Sequence, residues 1–167
     1  GVGGAILHGG KLLSGAQGRA GHLGHISLNL RGEPGITGIP GSLEQHVGES
    51  SLPARTQGKY RTTRALIEAH LRGDLQATEW WLASVYALAC GLASLINVID
   101  PEAVIIGGGI SHAGETLFEP LRQYLDQVEW RPGGHQVPLL AAQLGEFAGA
   151  LGAARFALER MGRESAS

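Results

Sequence analysis

Cysteine is nearly absent from this sequence, which has a single one, Cys90, among 167 residues. A single cysteine excludes an intrachain disulfide and makes a metal site built from thiolates nearly impossible. Cys90 also lies among small residues in a predicted helix, which favours a packing role over a nucleophilic one. This cysteine usage is typical of a protein from a reducing cytoplasm.

The sequence also lacks an excess of charge of either sign and an obvious membrane-spanning run. The formal net charge is -2, and the 13 lysines and arginines are scattered, so no basic patch for nucleic acid is visible. No apolar run approaches the roughly 18 residues of a membrane span, and the amino terminus has no basic segment followed by an apolar one. We therefore expect a soluble, unexported chain that binds neither a membrane nor nucleic acid.

Glycine, by contrast, is abundant, with 27 residues concentrated in the first 50 positions and at the ends of predicted strands. These glycines follow no fixed period, which argues against a collagen-like sequence and predicts many tight turns. The length and the 43% hydrophobic content predict one domain with its own core. Because the chain does not start with methionine and begins within a glycine-rich motif, we expect a fragment of a longer protein.

The segment 100–111 is the feature around which the rest of the chain is organised. Pro101 ends a preceding helix, and 103–106 is a short apolar run, as expected for a strand buried on both faces. Ser111 is a candidate cap for a following helix. Between them lie three glycines, which form either a plain strand-to-helix turn or a place where a flat ligand approaches the backbone: Gly107, Gly108 and Gly109.

Periodicity and turn residues predict the remaining elements. In chain order they are a hairpin turning at Gly9 and Gly10, a strand at 26–30, a loop at 31–41, helices at 42–47, 63–71, 78–98 and 116–128, a strand at 137–144 and a helix at 145–161. The segment 49–62 has the composition of irregular structure. The final helix is expected to bury a face made of Ala148, Leu151, Ala154 and Leu158, and residues 163–167 are expected to fray.

Two histidines and a glutamate are candidate ligand-binding residues. His22 and His25, three positions apart, can converge on a sugar or a metal, although such pairs are more often exposed or structurally hydrogen-bonded. Glu44 follows the glycine-rich loop and can accept hydrogen bonds from a ligand, but the helix dipole alone also favours a glutamate in a first turn. The residue types leave both explanations open.

Five motifs follow one another along nearly the whole chain: GVGGA at 1–5, GHLGH at 21–25, GSLE at 41–44, DPE at 100–102 with GGG at 107–109, and GALGAA at 149–154. In this order and spacing they resemble the carboxyl-terminal lobe of the ROK family of sugar kinases and sugar-responsive repressors. The resemblance implies an α/β fold of the actin-like ATPase, sugar kinase type. Residues 1–162 would then form one ribonuclease-H-like lobe, with a mixed sheet and flanking helices.

The resemblance also implies roles for particular residues. The sugar would be bound by His22, His25 and Glu44, and the nucleotide by Gly1, Gly3, Gly107, Gly108 and Gly109. The catalytic aspartate and the first phosphate motif of the family belong to the other lobe, so we expect no catalytic residue here and no activity from this chain alone. His22 departs from the glutamate of the family's Glu-x-Gly-His motif, which leaves the sugar preference open.

The resemblance implies ATP with Mg²⁺ as the cofactor of the full-length protein. It also implies that the full-length protein is a cytoplasmic homodimer that acts on a hexose or an amino sugar. The family's three zinc-binding cysteines correspond here to Gly35, Thr37 and Ser42. A structural zinc needs four nitrogen or sulfur ligands, so we expect no zinc. Instead, we expect residues Glu33 to Gly41 to form a self-supporting turn that places Glu44.

Three functions are compatible with the sequence. The first is the lobe of an ATP-dependent sugar kinase, which the glycine turn at Gly107 favours. The second is the effector-binding lobe of a sugar-responsive repressor, which would carry a helix-turn-helix before its first lobe. The third is a degenerate lobe that serves only in dimerisation, which the loss of the cysteines suggests and the retention of Glu44 opposes.

Overall fold

The computed structural model of this chain describes residues 1–164. Its elements in chain order are β1 (Leu7–His8), β2 (Lys11–Leu12), α1 (Leu43–Val47), α2 (Leu52–Arg55), α3 (Thr63–Leu71), α4 (Leu75–Ile99), β3 (Val104–Ile106), α5 (Glu115–Val128), β4 (Leu139–Ala141) and α6 (Ala148–Glu164). Short 3-10 turns lie at Leu23–His25, Gly109–Ala113, Pro132–Gly134 and Gly145–Phe147. Helices and strands both contribute, so the predicted α/β class is confirmed.

The strands form two separate pairs. β1 and β2 are antiparallel and turn at Gly9 and Gly10, both of which have positive φ, which confirms the predicted hairpin. β3 and β4 are parallel, with Val104 opposite Leu139 and Ile106 opposite Ala141. The prediction that β3 is buried on both faces is wrong, because Ile105 is 65% exposed while its two neighbours pack on the core.

Helix α4 is the centre of the fold. It packs against α1, α3 and α5, and the side chains of Trp81, Val85, Leu88, Leu92 and Ile96 are buried along it. Asp74 caps its start by accepting a hydrogen bond from the Ala77 N–H at 2.9 Å. The indole N–H of Trp81 donates to the Thr116 carbonyl at 3.1 Å, which fixes α5 against it. The helix begins three residues earlier than the apolar periodicity predicts because the cap, not the apolar pattern, sets its start.

Within residues 1–164, α4 alone is long and apolar enough by length and composition to span a membrane. The expectation that no stretch approaches that length is therefore wrong. Half of its most apolar window is buried inside the protein. The same pattern is found in a central core helix, which must be apolar on several faces when three other helices surround it.

Two predictions in the first half of the chain are corrected. Residues 26–30 form no strand. Ser27 makes an isolated bridge to Ser42, because this segment pairs with the segment around Ser42 at a single point. The segment 49–62 contains helix α2 and the buried side chains of Leu52 and Thr56. The Thr56 hydroxyl donates to the Leu52 carbonyl at 2.8 Å and accepts the Tyr60 N–H at 3.2 Å. A few such contacts order a segment whose composition is typical of a loop.

Ser111 does not cap α5. Its hydroxyl donates to the Gly108 carbonyl at 2.8 Å and so closes the 3-10 turn that follows β3. Gly114, with φ of 55°, separates this turn from the first residue of α5. The serine therefore stabilises the turn after β3 instead of the helix beyond it.

Helix α6 forms where the sequence predicts a helix, but its predicted inner face is exposed. Ala148, Leu151, Ala154 and Leu158 all face solvent, and none of the described side chains of α6 belongs to the core. An amphipathic pattern predicts that a face will be covered but not which surface covers it. The helical backbone continues to Glu164, and residues 165–167 of the expected frayed tail lie outside the described residues.

Candidate functional site

The start of helix α1 carries Glu44 and is fixed by a complete capping box. The Ser42 hydroxyl accepts the Gln45 N–H at 3.4 Å, and the Gln45 side-chain oxygen accepts the Ser42 N–H at 3.0 Å. The neighbouring Leu43 is buried against α4. Because Glu44 lies between the cap and a buried residue, its side chain leaves the helix in a defined direction.

The loop at 31–41 closes on itself through main-chain hydrogen bonds. The Gly35 N–H donates to the Ile39 carbonyl at 2.9 Å, and the Gly41 N–H donates to the Glu33 carbonyl at 3.0 Å. Pro34 and Pro40 form an isolated bridge across it. The predicted self-supporting turn is therefore present, and it ends directly before the capping box of α1.

A second set of bonds joins this loop to the segment that carries the histidines. The Leu28 N–H donates to the Gly41 carbonyl at 2.8 Å, and the Leu43 N–H donates to the Ile26 carbonyl at 2.9 Å. The Ser27 hydroxyl adds a bond to the Pro40 carbonyl at 2.7 Å. These contacts hold residues 26–28 beside the start of α1, so His25 lies next to Glu44.

His22, His25 and Glu44, predicted from the sequence as a group, do converge. The Nδ1 atom of His25 lies 3.7 Å from Oε2 of Glu44, and the His22 and His25 rings stack with centroids 6.0 Å apart. The side chains of His25 and Glu44 keep 26% and 23% exposure. A separation of 3.7 Å is too long for a hydrogen bond, so these polar atoms can accept or donate to a ligand.

Glycines hold the amino-terminal residues against the histidine segment. A Cβ at Gly21 would lie 2.9 Å from the Gly4 carbonyl oxygen, and a Cβ at Gly24 would overlap the Val2 carbonyl. Gly1, predicted to bind nucleotide, lies near the same site, with its nitrogen 3.9 Å from Oε1 of Glu44. Only residues without a side chain permit this close approach.

The glycine turn after β3 forms a second candidate site. Gly108 has φ of 79°, a conformation that favours glycine, and a Cβ at Gly108 or Gly109 would meet no atom within 4 Å. Gly107 is tighter, since its Cβ would lie 3.0 Å from that of Ala142, which follows β4. The turn thus leaves open space at the carboxyl ends of both strands, where α/β proteins commonly bind ligands. A Cβ at Gly3, the remaining nucleotide candidate, would also meet no atom within 4 Å.

Among the described residues, no group of three or more histidine, cysteine, aspartate or glutamate side chains is arranged to hold a metal ion. His22, His25 and Glu44 are thus near one another without forming such a group. The expectation that the loop at 31–41 contains no zinc stays a prediction.

The contact between two basic side chains near α1, His46 and Arg55, was not predicted from the sequence. Burial and the nearby Arg55 guanidinium lower the pKa of His46, in the last turn of α1. Burial also lowers the pKa of Arg55, whose hydrogen-bond partners are neutral oxygens. Nothing in the spacing of the sequence indicates these contacts, because one of the partners lies 29 residues away.

An open groove of about 420 Å³ lies elsewhere, between α3, α4 and α5. Its lining residues include His70, Leu82, Glu115 and Gln123. None of the residues predicted to bind sugar or nucleotide lines it, and we assign it no ligand.

Comparisons with known proteins agree with this architecture. The model of the ROK family matches residues 1–160. The chain is 35% identical over 179 residues to a glucokinase from Thermotoga maritima, covering 97% of this chain and 56% of the glucokinase. It is 36% identical over 160 residues to an N-acetylmannosamine kinase from Escherichia coli O7:K1, covering 95% and 54%. The chain spans about half the length of the curated relatives it matches.

Solved structures show the same fold. A ROK family glucokinase from Streptomyces griseus, in complex with glucose and AMPPNP, superposes with a TM-score of 0.77 at 31% identity, over 92% of this chain and 56% of that one. A ROK family transcriptional regulator, a homolog of the E. coli MLC protein, gives a TM-score of 0.69 at 26% identity, over 84% and 39%. The predicted actin-like sugar kinase fold is thereby confirmed.

Proposed function

This chain belongs to the ROK family, and we propose that it is the sugar- and nucleotide-contacting carboxyl-terminal lobe of an ATP-dependent sugar kinase. The observation that carries the proposal is the convergence of His25 and Glu44, 3.7 Å apart, with the stacked ring of His22. The substrate would be a hexose or an amino sugar, as the names of the glucokinase and N-acetylmannosamine kinase relatives suggest.

The proposed sugar site matches the chemistry of hydroxyl groups. The Glu44 carboxylate accepts hydrogen bonds from two hydroxyls, and each neutral imidazole supplies one donor and one acceptor. The His25 and Glu44 side chains form no hydrogen bond with each other, so a sugar can bind to both without breaking one. His22 adds a second imidazole, which when neutral supplies one further donor and one further acceptor.

The proposed nucleotide site uses the turn at Gly107, Gly108 and Gly109, together with Gly1 and Gly3. The open space at Gly108 and Gly109 fits a flat adenosine group lying against the backbone. Bound ATP with Mg²⁺ would supply the phosphoryl group that is transferred, while the residues of this chain hold and orient the two substrates. We assign the proton acceptor to a part of the full-length protein beyond this chain, so the chain alone is inactive.

A sugar-responsive repressor is the second candidate function. It is supported by the structural likeness to a ROK family transcriptional regulator. The same histidine and glutamate contacts would then bind an effector sugar, and no phosphoryl transfer would follow. In either case we propose a cytoplasmic homodimer as the working form.

Assaying the full-length protein for ATP- and Mg²⁺-dependent phosphorylation of glucose and N-acetylmannosamine tests the proposal. Glu44→Ala should weaken sugar binding by about 1–3 kcal/mol, because the sugar hydroxyls lose their acceptor. Glu68→Ala, a glutamate on the exposed surface of α3, is the matched control and should bind sugar like the wild type. Sugar binding without phosphorylation would favour the repressor, and an unchanged sugar affinity of Glu44→Ala would remove Glu44 from the site.

A further inference from the structure

Helix α1 is too short to hold its own position. It comprises five residues, and isolated helices of this length are unstable because nucleation costs more than a few hydrogen bonds return. The capping box and the 31–41 loop fix its start. Its other end must also be fixed if Glu44, in the first turn, is to keep one orientation.

Arg55 fixes that other end. Its Nη2 donates to the Gly48 carbonyl at 3.1 Å, just after the last residue of α1. Its Nε donates to the Ser51 hydroxyl at 3.3 Å, and that hydroxyl donates in turn to the Gly48 carbonyl at 2.9 Å. The Gly48 N–H donates to the carbonyl of Glu44 itself at 2.6 Å. Arg55 is therefore connected to the backbone of Glu44 through Gly48, whose carbonyl accepts from Arg55 and whose N–H donates to Glu44.

The third bond of Arg55 anchors this end to the core. Its Nη1 donates to the hydroxyl of Ser84 at 2.6 Å, and Ser84 is buried on the central helix α4. The Ser84 hydroxyl donates to the Trp80 carbonyl at 2.9 Å, so its orientation is set by α4. One planar guanidinium thus joins α1, the start of α2 and the middle of α4.

Arg55 contributes to the fold mainly through the geometry of its hydrogen bonds, because its partners are neutral oxygens. None of the ion pairs found among residues 1–164 involves Arg55, although its side chain is half-buried. Burying a cation without a carboxylate is unfavourable, and here only neutral oxygens and the negative end of α1 compensate. A lysine cannot reproduce this arrangement, because its ammonium lacks the fixed fork that reaches three separate oxygens.

We propose that Arg55 is a positioning residue for Glu44, which places the carboxylate for sugar binding without touching the sugar. This inference rests on the proposed role of Glu44. It requires that loss of Arg55 weakens sugar binding only while Glu44 is present, and that nucleotide binding at the glycine turn is unaffected.

The test combines calorimetry with a double-mutant cycle in the full-length protein. Arg55→Met should raise the sugar dissociation constant about tenfold, because a displaced Glu44 carboxylate forms weaker hydrogen bonds with the sugar hydroxyls. Arg55→Lys should fall between Arg55→Met and the wild type. On a Glu44→Ala background, Arg55→Met should cost less than about twofold further, because coupled residues are not additive. The ATP dissociation constant should not change in any of these variants.

Hydrogen exchange on the full-length protein tests the structural step separately. Arg55→Met should speed exchange at residues 45–48 and leave α5 as in the wild type. The control is Arg131→Met, which removes a partner of the buried Glu129 near the end of α5. It should speed exchange in α5 and leave residues 45–48 as in the wild type. Full additivity with Glu44→Ala, or unchanged exchange in α1, would overturn the proposal. Wild-type protein that binds sugar but does not phosphorylate it would refute the kinase and leave the role of Arg55 intact.

Discussion

The side chain of Leu43 lies directly against the backbone of Gly91. A Cβ at Gly91 would come within 3.0 Å of Cδ2 and 3.1 Å of Cδ1 of Leu43. Leu43 is 2% exposed and immediately precedes Glu44. Because Gly91 has no side chain, α1 can approach α4 this closely. The distance between the two helices in turn sets the position of the candidate sugar-binding carboxylate.

We predict that Gly91→Leu destabilises the chain by about 1–3 kcal/mol, the usual cost of adding volume to a packed contact. Ala83→Leu, which introduces leucine at an exposed position on α4, is the control and should change stability much less. Urea unfolding followed by circular dichroism measures both. Equal effects of the two substitutions would show that Leu43 can move aside.

A second prediction concerns the pH dependence caused by His46. Burial, assisted by the charge of Arg55, holds the pKa of His46 below its ordinary 6.5. The unfolded chain therefore binds more protons than the folded chain in the window just below pH 6.5, and stability falls as the pH is lowered through it. His46→Gln lacks this loss, so its stability relative to wild type should improve from pH 7.5 to pH about 5.5. A stability difference that stays constant over this range would contradict the assignment.

Asp74 should cause a loss of stability in the same direction as His46, but at lower pH. The Ala77 N–H, followed by the Lys59 ammonium, lowers the pKa of this carboxyl from 3.8 to about 2. The stability it contributes is present above pH 3.8 and is lost as the pH falls from there toward 2. Asp74→Asn keeps a side-chain oxygen to cap α4 but does not titrate. The difference in the free energy of unfolding between wild type and this variant should therefore shrink as the pH falls from 5 to about 3. A difference that stays constant over this range would refute the prediction.

The 31–41 loop should keep its structure without a metal ion. Elemental analysis of protein purified without a metal-affinity resin should find well under one zinc per chain. A chelator should leave the melting temperature unchanged, because the closure consists of main-chain hydrogen bonds. Stoichiometric zinc, or a large fall in the melting temperature with chelator, would contradict this prediction.

Sequence reasoning succeeded where the determinants are local. The predicted helix at 42–47 is present because Ser42 and Gln45 close a capping box within one turn, and Gly9 and Gly10 specify the predicted hairpin through their backbone conformation. The grouping of His22, His25 and Glu44 came from the family resemblance and not from spacing, since the contacts that bring them together run through the Ile26 and Gly41 carbonyls.

It failed where the partner of a residue lies far away along the chain. Arg55 was overlooked because its anchor, Ser84, is 29 residues distant and neutral. The apolar pattern of α6 correctly predicted a helix, yet Leu151 and Leu158 are exposed. Periodicity reports that a face is apolar, and only the assembled structure shows what covers it.

The main-chain closure of the 31–41 loop also makes its geometry independent of the side chain at its tip. Ile36, near the tip, is 94% exposed, and the hydrogen bonds that shape the loop belong to backbone atoms on either side of it. The side chain of Ile36 can consequently be exchanged while Glu44 keeps its place. The tip of the loop therefore offers a position at which a label can be attached without rebuilding the candidate site behind it.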